Sequence, residues 1–208
     1  MLLAVACVFA PGLGRAEDQP VKIVVLGDSL VAGHGLAADD AFPAKLDKAL
    51  KDKGVAATIV NAGVSGDTAS GGLDRVDWSV PQGTDAVIVE LGANDMLRGI
   101  DPKVTKQALE KILDRLAARH ISVLLAGMQA AHNMGSDYAR AFDAIYPALA
   151  STHSLVFYPF FLDGVATDAK LNQIDGMHPT AAGVDVIVSR IRPQVEAFIA
   201  RVRAARGT

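Results

Sequence analysis

The sequence predicts an α/β protein, a three-layer α/β/α domain around a five-stranded parallel sheet. Three observations carry this. Five short apolar runs, at 21–26, 57–61, 85–91, 121–126 and 155–158, alternate with longer amphipathic segments. That alternation is the pattern of a parallel sheet with helices on both faces. The clearest run, Ala86-Val87-Ile88-Val89-Glu90-Leu91, is near-continuously apolar, as a strand covered on both faces is. The first three runs each end in a block of small and polar residues, and ligands in such sheets bind outside the carboxyl ends of the strands.

Taken in order, the first strand (21–26) runs into Gly27-Asp28-Ser29-Leu30. Residues 42–53 place Leu46, Ala49 and Leu50 on one face with Lys and Asp opposite, so a helix is expected, ended by Gly54. The second strand (57–61) leads into Asn61-Ala62-Gly63-Val64-Ser65-Gly66-Asp67-Thr68. A helix over 67–78 then opens on an Asp-Thr cap. The third strand (85–91) ends in Gly92-Ala93-Asn94-Asp95. A long helix over 101–119 starts with Pro102 in its first turn and buries Val104, Ala108, Ile112 and Leu116. The fourth strand (121–126) is followed by a helix over 138–151, bent or interrupted at Pro147. After the short fifth strand (155–158), a last helical region covers 179–203 and restarts at Pro193. There is no repeat, low-complexity segment or linker.

The length of 208 residues suits one domain with a full core, and 50% hydrophobic with 21% charged residues places the chain among globular proteins. Residues 1–16 are set apart as an expected signal peptide. Leu2 to Phe9 is apolar, and Gly14-Arg15-Ala16 puts small residues at minus three and minus one before Glu17, although no basic residue precedes the run. A lipid anchor at Cys7 is the weaker alternative. A periplasmic or secreted location is therefore expected, with a single domain over 17–208. Cys7 is the only cysteine, so a mature chain without it has neither a Cys nucleophile nor a Cys-ligated metal. The formal charge of −3 and the lack of a basic run argue against nucleic acid. No segment after the leader has the ~18 uninterrupted apolar residues of a membrane span. A monomer is favoured.

The chemistry-bearing residues stand at the strand ends. Ser29 is a hydroxyl that becomes a nucleophile when a base takes its proton. His178, in Asp175-Gly176-Met177-His178-Pro179, is such a base, and Asp175 could hold its other ring nitrogen. A developing oxyanion needs donors, and the Ser29 N–H, the Gly66 N–H and the Asn94 amide could supply them. Each block alone also reads as a cap or turn: Gly27-Asp28-Ser29 as a helix cap, Gly66-Asp67-Thr68 as a helix start, Gly92 to Asp95 as a tight turn. Together, in this order and at strand ends, they are much harder to assign to turns. Val31 occupies the place of the second glycine in Gly-x-Ser-x-Gly, so the serine is not presented on an α/β-hydrolase elbow.

These four blocks, spanning most of the chain after the leader, resemble those of the SGNH hydrolases, also called the GDSL esterase/lipase family. Ser65-Gly66-Asp67-Thr68, the segment from Glu90 to Gly99, and Ala141-Phe142-Asp143-Ala144-Ile145-Tyr146-Pro147 are most similar to the bacterial thioesterase I/lysophospholipase L1/arylesterase group. The resemblance implies a flavodoxin-like fold and metal-free, cofactor-free hydrolysis of small ester or acyl substrates. It implies Ser29 as nucleophile, His178 as base, Asp175 as its partner, and Gly66 with Asn94 as oxyanion donors. Residues 128–136 depart from the group's more compact loop, which bears on acyl-chain preference.

Two other activities fit parts of the pattern. A carbohydrate O-acetylesterase would use the same machinery, but one Trp and three Tyr offer little platform for sugars. A non-catalytic ligand-binding module is compatible with the fold alone, yet no P-loop or Gly-x-Gly-x-x-Gly follows the first strand. Asp28 is expected to cap or turn, and Asp95 to support the Asn94 loop. His34, His120, His132 and His153 show no metal spacing and are expected on the surface or in loops. Leu73 and Trp78 are expected to pack. Met128, Ala130, Ala131, Met134, Phe160 and Phe161 are candidates for an acyl groove or for ordinary packing.

Overall fold

The computed structural model describes residues 19–206. The expected leader at 1–16 lies outside them. Five strands form one sheet: β1 Val21–Gly27, β2 Ala57–Gly63, β3 Ala86–Glu90, β4 Ser122–Ala126 and β5 Val156–Tyr158. All neighbours are parallel, in the order β2-β1-β3-β4-β5. This is the flavodoxin-like order. Its topological switch point lies beside β1, where the chain's winding reverses. Gly27 lies opposite Gly63 on one side and Glu90 on the other, and Glu90 lies opposite Ala126. The carboxyl ends of the first four strands are therefore level, and the polar blocks that follow them leave the sheet at one edge.

Among the described residues eight α-helices accompany the strands: α1 Ser29–Ala32, α2 Phe42–Asp52, α3 Ala69–Ser79, α4 Ala93–Leu97, α5 Pro102–Ala118, α6 Ser136–Asp143, α7 Ile145–Thr152 and α8 Ala181–Arg206. α2 packs on α8, and α3 packs on α5, which also meets α7. α2 buries Phe42, Leu46 and Leu50, one residue every four, as a stripe facing the sheet requires. α5 starts as its sequence predicts: Asp101 accepts the Lys103 N–H at 2.9 Å, and Pro102 follows where no amide hydrogen is needed. Burying each such aliphatic side chain contributes about 1.5–3 kcal/mol.

The structure corrects several expectations. The helix expected over 138–151 is two helices that meet at Ala144. Pro147 causes no break, because it sits in the first turn of α7, where its missing N–H leaves no bond unmade. α8 runs unbroken through Pro193. An interior proline costs about 3 kcal/mol, and the buried Ile187, Ile191, Val195, Phe198 and Val202 along the helix offset it. α3 begins at Ala69, with Thr68 as its cap accepting the Gly71 N–H at 3.2 Å, so Asp67 lies before the helix. Trp78 does not pack: it is 72% exposed, because the buried face of α3 is set by Ala69, Gly72, Arg75 and Val76. Among the described residues no helix is long and apolar enough to cross a membrane.

Candidate active site

β1 delivers Ser29 to the sheet edge. Asp28 caps α1 by accepting the Leu30 N–H at 3.0 Å, and Ser29 is 8% exposed. Its Oγ lies 2.9 Å from Nε2 of His178. Nδ1 of the same ring lies 2.6 Å from Oδ2 of Asp175. The other oxygen of Asp175 accepts the N–H groups of Met177 and His178 at 2.9 and 3.0 Å. The bond to His178, followed by these two backbone bonds, holds the Asp175 carboxyl well below the usual carboxylate range. An ionised Asp175 only accepts, so Nδ1 carries the ring proton and the Nε2 lone pair faces the serine. An imidazole in that state can take the Ser29 proton.

The loop bearing this histidine is tied down by Gln173. Its N–H donates to the His178 carbonyl at 2.7 Å, and its side-chain amide donates to the carbonyls of Pro179 and His34 at 3.0 and 2.7 Å. His34 is exposed, as expected of a loop histidine, but its ring also lies tilted against that of His178, with centroids 4.5 Å apart at 40°. Neither Gln173 nor the His34 contact was legible in the sequence. The contact depends on the turn after α1, which the spacing of the two residues does not reveal.

Two further strand ends supply N–H groups. Residues 64–67 form a turn closed by the Asp67 N–H to the Val64 carbonyl at 3.1 Å. Gly66 takes φ +86° in it, a value that side chains strain against, and only a glycine meets it freely. Among the described residues the Gly66 and Ser29 N–H groups have no hydrogen-bond partner. After β3, Gly92 takes φ +120°, and a Cβ there would collide with the Tyr146 hydroxyl, which donates to the Leu91 carbonyl at 3.0 Å. That turn starts α4 and presents Asn94. Its Nδ2 donates to Asp28 Oδ2 at 3.1 Å. The acceptor fixes which end of the amide is nitrogen and leaves one N–H for another partner. Asp95, fully buried, accepts from the Ala69 N–H at 2.8 Å and the Thr105 hydroxyl at 3.0 Å. It ties α4 to α3 and α5, the supporting role expected of it.

Beneath the serine lies a buried carboxyl pair. Burial pushes Asp28 up to about 6, against the pull of the Leu30 N–H and the Asn94 amide. Glu90 is pushed well above the ordinary range, first by burial and then by the nearby Asp28. Its Oε2 accepts the Asp28 N–H at 3.4 Å, and its Oε1 is buried without a partner. A glutamate in a strand covered on both faces was visible in the sequence, and its burial follows from that position. Both acids bind protons more tightly folded than unfolded, so stability falls as pH rises through Asp28's window, from 3.8 to about 6, and further as Glu90 is forced to ionise. Glu90→Gln, which imitates the neutral acid, is expected to keep wild-type hydrolysis and to lose less melting temperature than wild type between about pH 5 and about pH 9. Equal losses in a thermal melt series would contradict this.

Of the groove candidates, Met128 and Phe161 are core residues, 3% and 0% exposed, and Phe161 packs edge-on against Phe42 at 4.9 Å. They line no open groove. Ala130, Ala131, Met134 and Phe160 are partly buried against the core. Among the described residues no group of three His, Cys, Asp or Glu side chains could hold a metal ion.

Fold and site together define a hydrolase of esters on a parallel sheet, with a serine at the end of its first strand. The chain belongs to the GDSL-like lipase/acylhydrolase family, whose model matches residues 25–186. It is 38% identical to an arylesterase of Vibrio mimicus over 168 residues, 80% of this chain and 84% of that protein. It is 36% identical to the Escherichia coli (strain K12) thioesterase 1/protease 1/lysophospholipase L1 over 178 residues, 85% of this chain and 84% of that one. Among solved structures it is similar to the SGNH-hydrolase family esterase AlinE4. The TM-score is 0.73 at 46% identity, covering 85% of this chain and 95% of that one. The protein is thus a serine esterase of the GDSL/SGNH type.

Proposed function

We propose that the protein hydrolyses carboxylic esters of aryl or short-to-medium acyl type, and acyl thioesters and lysophospholipids, through an acyl-enzyme on Ser29. His178 takes the Ser29 proton as the oxygen attacks the acyl carbonyl. Asp175 orients the ring and stabilises the imidazolium that forms. The N–H groups of Ser29 and Gly66 and the free N–H of Asn94 receive the oxyanion. His178 then protonates the leaving alcohol or thiol, and water repeats the sequence to release the acid. The observation that carries this is the hydrogen-bonded chain from Asp175 through His178 to Ser29. The substrate class rests on the activities in the relatives' names and on an apolar rim. Val64, Leu97, Ile174 and Met177 are all exposed, each within three residues of Gly66, Asn94 or Asp175. We also infer export of the mature chain, which the apolar run and the small residues before Glu17 support.

The test is a hydrolysis panel varying acyl length and leaving group: p-nitrophenyl acetate to octanoate, acyl thioesters, a lysophospholipid and acetylated sugars. The aryl esters are expected to turn over, and folded His178→Ala is expected to lose nearly all of that turnover. Release of acetate from the sugars with no cleavage of longer acyl esters would replace this reading with a carbohydrate deacetylase. Wild-type turnover in folded His178→Ala would remove His178 as the base.

A further inference from the structure

Arg75 lies on α3, nine residues after Gly66, and is 5% exposed. A buried guanidinium is costly unless its donors are met, and here they are met by four different groups. Nη2 donates to the Gly27 carbonyl at 2.8 Å, Nη1 to the Ala62 carbonyl at 2.7 Å and the Ser79 hydroxyl at 3.0 Å, and Nε to Asp67 Oδ2 at 2.5 Å. These partners are not scattered. Gly27 ends the strand that delivers Ser29. Ala62 is next to last in β2. Asp67 directly follows Gly66. One rigid, planar group therefore spans the end of the nucleophile's strand and the turn that carries the Gly66 N–H.

Val64 donates to the same Gly27 carbonyl at 3.0 Å, which fixes the turn's first residue. Asp67, its last, is held by Arg75. Across the turn, Arg98 donates to the Gly66 carbonyl at 2.7 Å from an exposed position. The fit is built into α3. Asp67, Gly71 and Arg75 follow at intervals of four, and a Cβ at Gly71 would lie 2.8 Å from an Asp67 oxygen. The glycine leaves the space that the carboxylate needs to reach the guanidinium.

We propose that Arg75 is a positioning residue for the reaction, holding the Gly66 N–H in register with Ser29 through the Gly27 carbonyl and Asp67. It touches no reacting atom. The inference rests on the reading of Gly66 as an oxyanion donor. A misplacement of about 1 Å in such a site costs on the order of 10²-fold in rate. Lysine keeps the charge of Arg75 but not the fork, so Arg75→Lys cannot hold both carbonyls and the carboxylate.

The experiment compares wild type with Arg75→Lys, Asp67→Asn and the double variant, with Val76→Ala as a control for damage to the same helix. Thermal melts establish folding. The readouts are kcat and KM for p-nitrophenyl butyrate and the rate of phosphonylation by a fluorophosphonate, whose transition state also places an oxyanion in the hole. The expected result is a fall of about 10- to 100-fold in kcat and in phosphonylation rate for each single variant, with KM within about threefold. The double variant is expected to be no worse than the poorer single, because the pair acts as one unit. Val76→Ala is expected to melt earlier with kcat unchanged. Should Arg75→Lys fail to fold, Asp67→Asn decides. Wild-type kcat and phosphonylation in folded Asp67→Asn and Arg75→Lys would overturn the proposal alone. So would an equal loss in Val76→Ala. A wild type inert to the phosphonate would bring down the oxyanion reading and this inference with it.

Discussion

Ser29→Ala is expected to lose essentially all hydrolysis, with kcat down by roughly 10⁴- to 10⁶-fold. The serine oxygen is the atom that forms and breaks the acyl bond, and no neighbour can replace it. His178 could still activate a water, and the oxyanion donors would still stand, so a small residual rate is expected. Stability should hardly change. Ser29 Oγ bonds only to His178 among the described residues, and that ring remains tied to Asp175 on its other side. Turnover of p-nitrophenyl butyrate, measured beside a thermal melt, separates the two effects. A folded Ser29→Ala protein with wild-type turnover would refute the proposed nucleophile.

Asn94→Ala ranks next, with kcat expected to fall by about 10²- to 10³-fold while KM changes little. The amide bonds to an oxygen that is more negative in the transition state than in the substrate carbonyl, so its loss appears in kcat. A second consequence is specific to this site. Nδ2 of Asn94 is the partner of Asp28 Oδ2. Without it the buried Asp28 carboxylate loses a stabilising donor and rises further from about 6. The Asp28 carboxyl of Asn94→Ala should therefore hold its proton to higher pH than in the wild type, read from the pH dependence of its 13C carboxyl resonance. A loss confined to KM, with kcat intact, would mean that Asn94 binds substrate and does not hold the oxyanion.

The sheet was legible because burial on both faces leaves a simple mark. Strands such as Ala86–Glu90 must be apolar nearly throughout, and the polar residues are displaced to their ends. The same logic exposed Ser29, Gly66, Asn94 and the Asp175–His178 block, since each follows a strand or precedes a helix. Less was legible where one contact outweighed a local rule. Pro193 signals a break, but packing along α8 carries the helix past it. Trp78 signals a core residue by its size, but its angle on α3 turns it outward. Asp67 signals a helix cap, but Arg75 claims its carboxylate and Thr68 caps instead. His34 meets His178 only because Gln173 holds the two loops together. The packing along α8 and the His34 contact depend on partners distant in the chain, and periodicity reports only neighbours along it.

The central claim is that Ser29 is activated by His178 and becomes covalently acylated. Its most direct measurement is mass spectrometry of the whole protein after treatment with a fluorophosphonate, followed by mapping of the modified peptide. One phosphonyl group per chain is expected in the wild type, carried on Ser29, slowed strongly in His178→Ala and absent from Ser29→Ala. A folded wild type that takes up no label, or a label found on another residue and retained in Ser29→Ala, would contradict it.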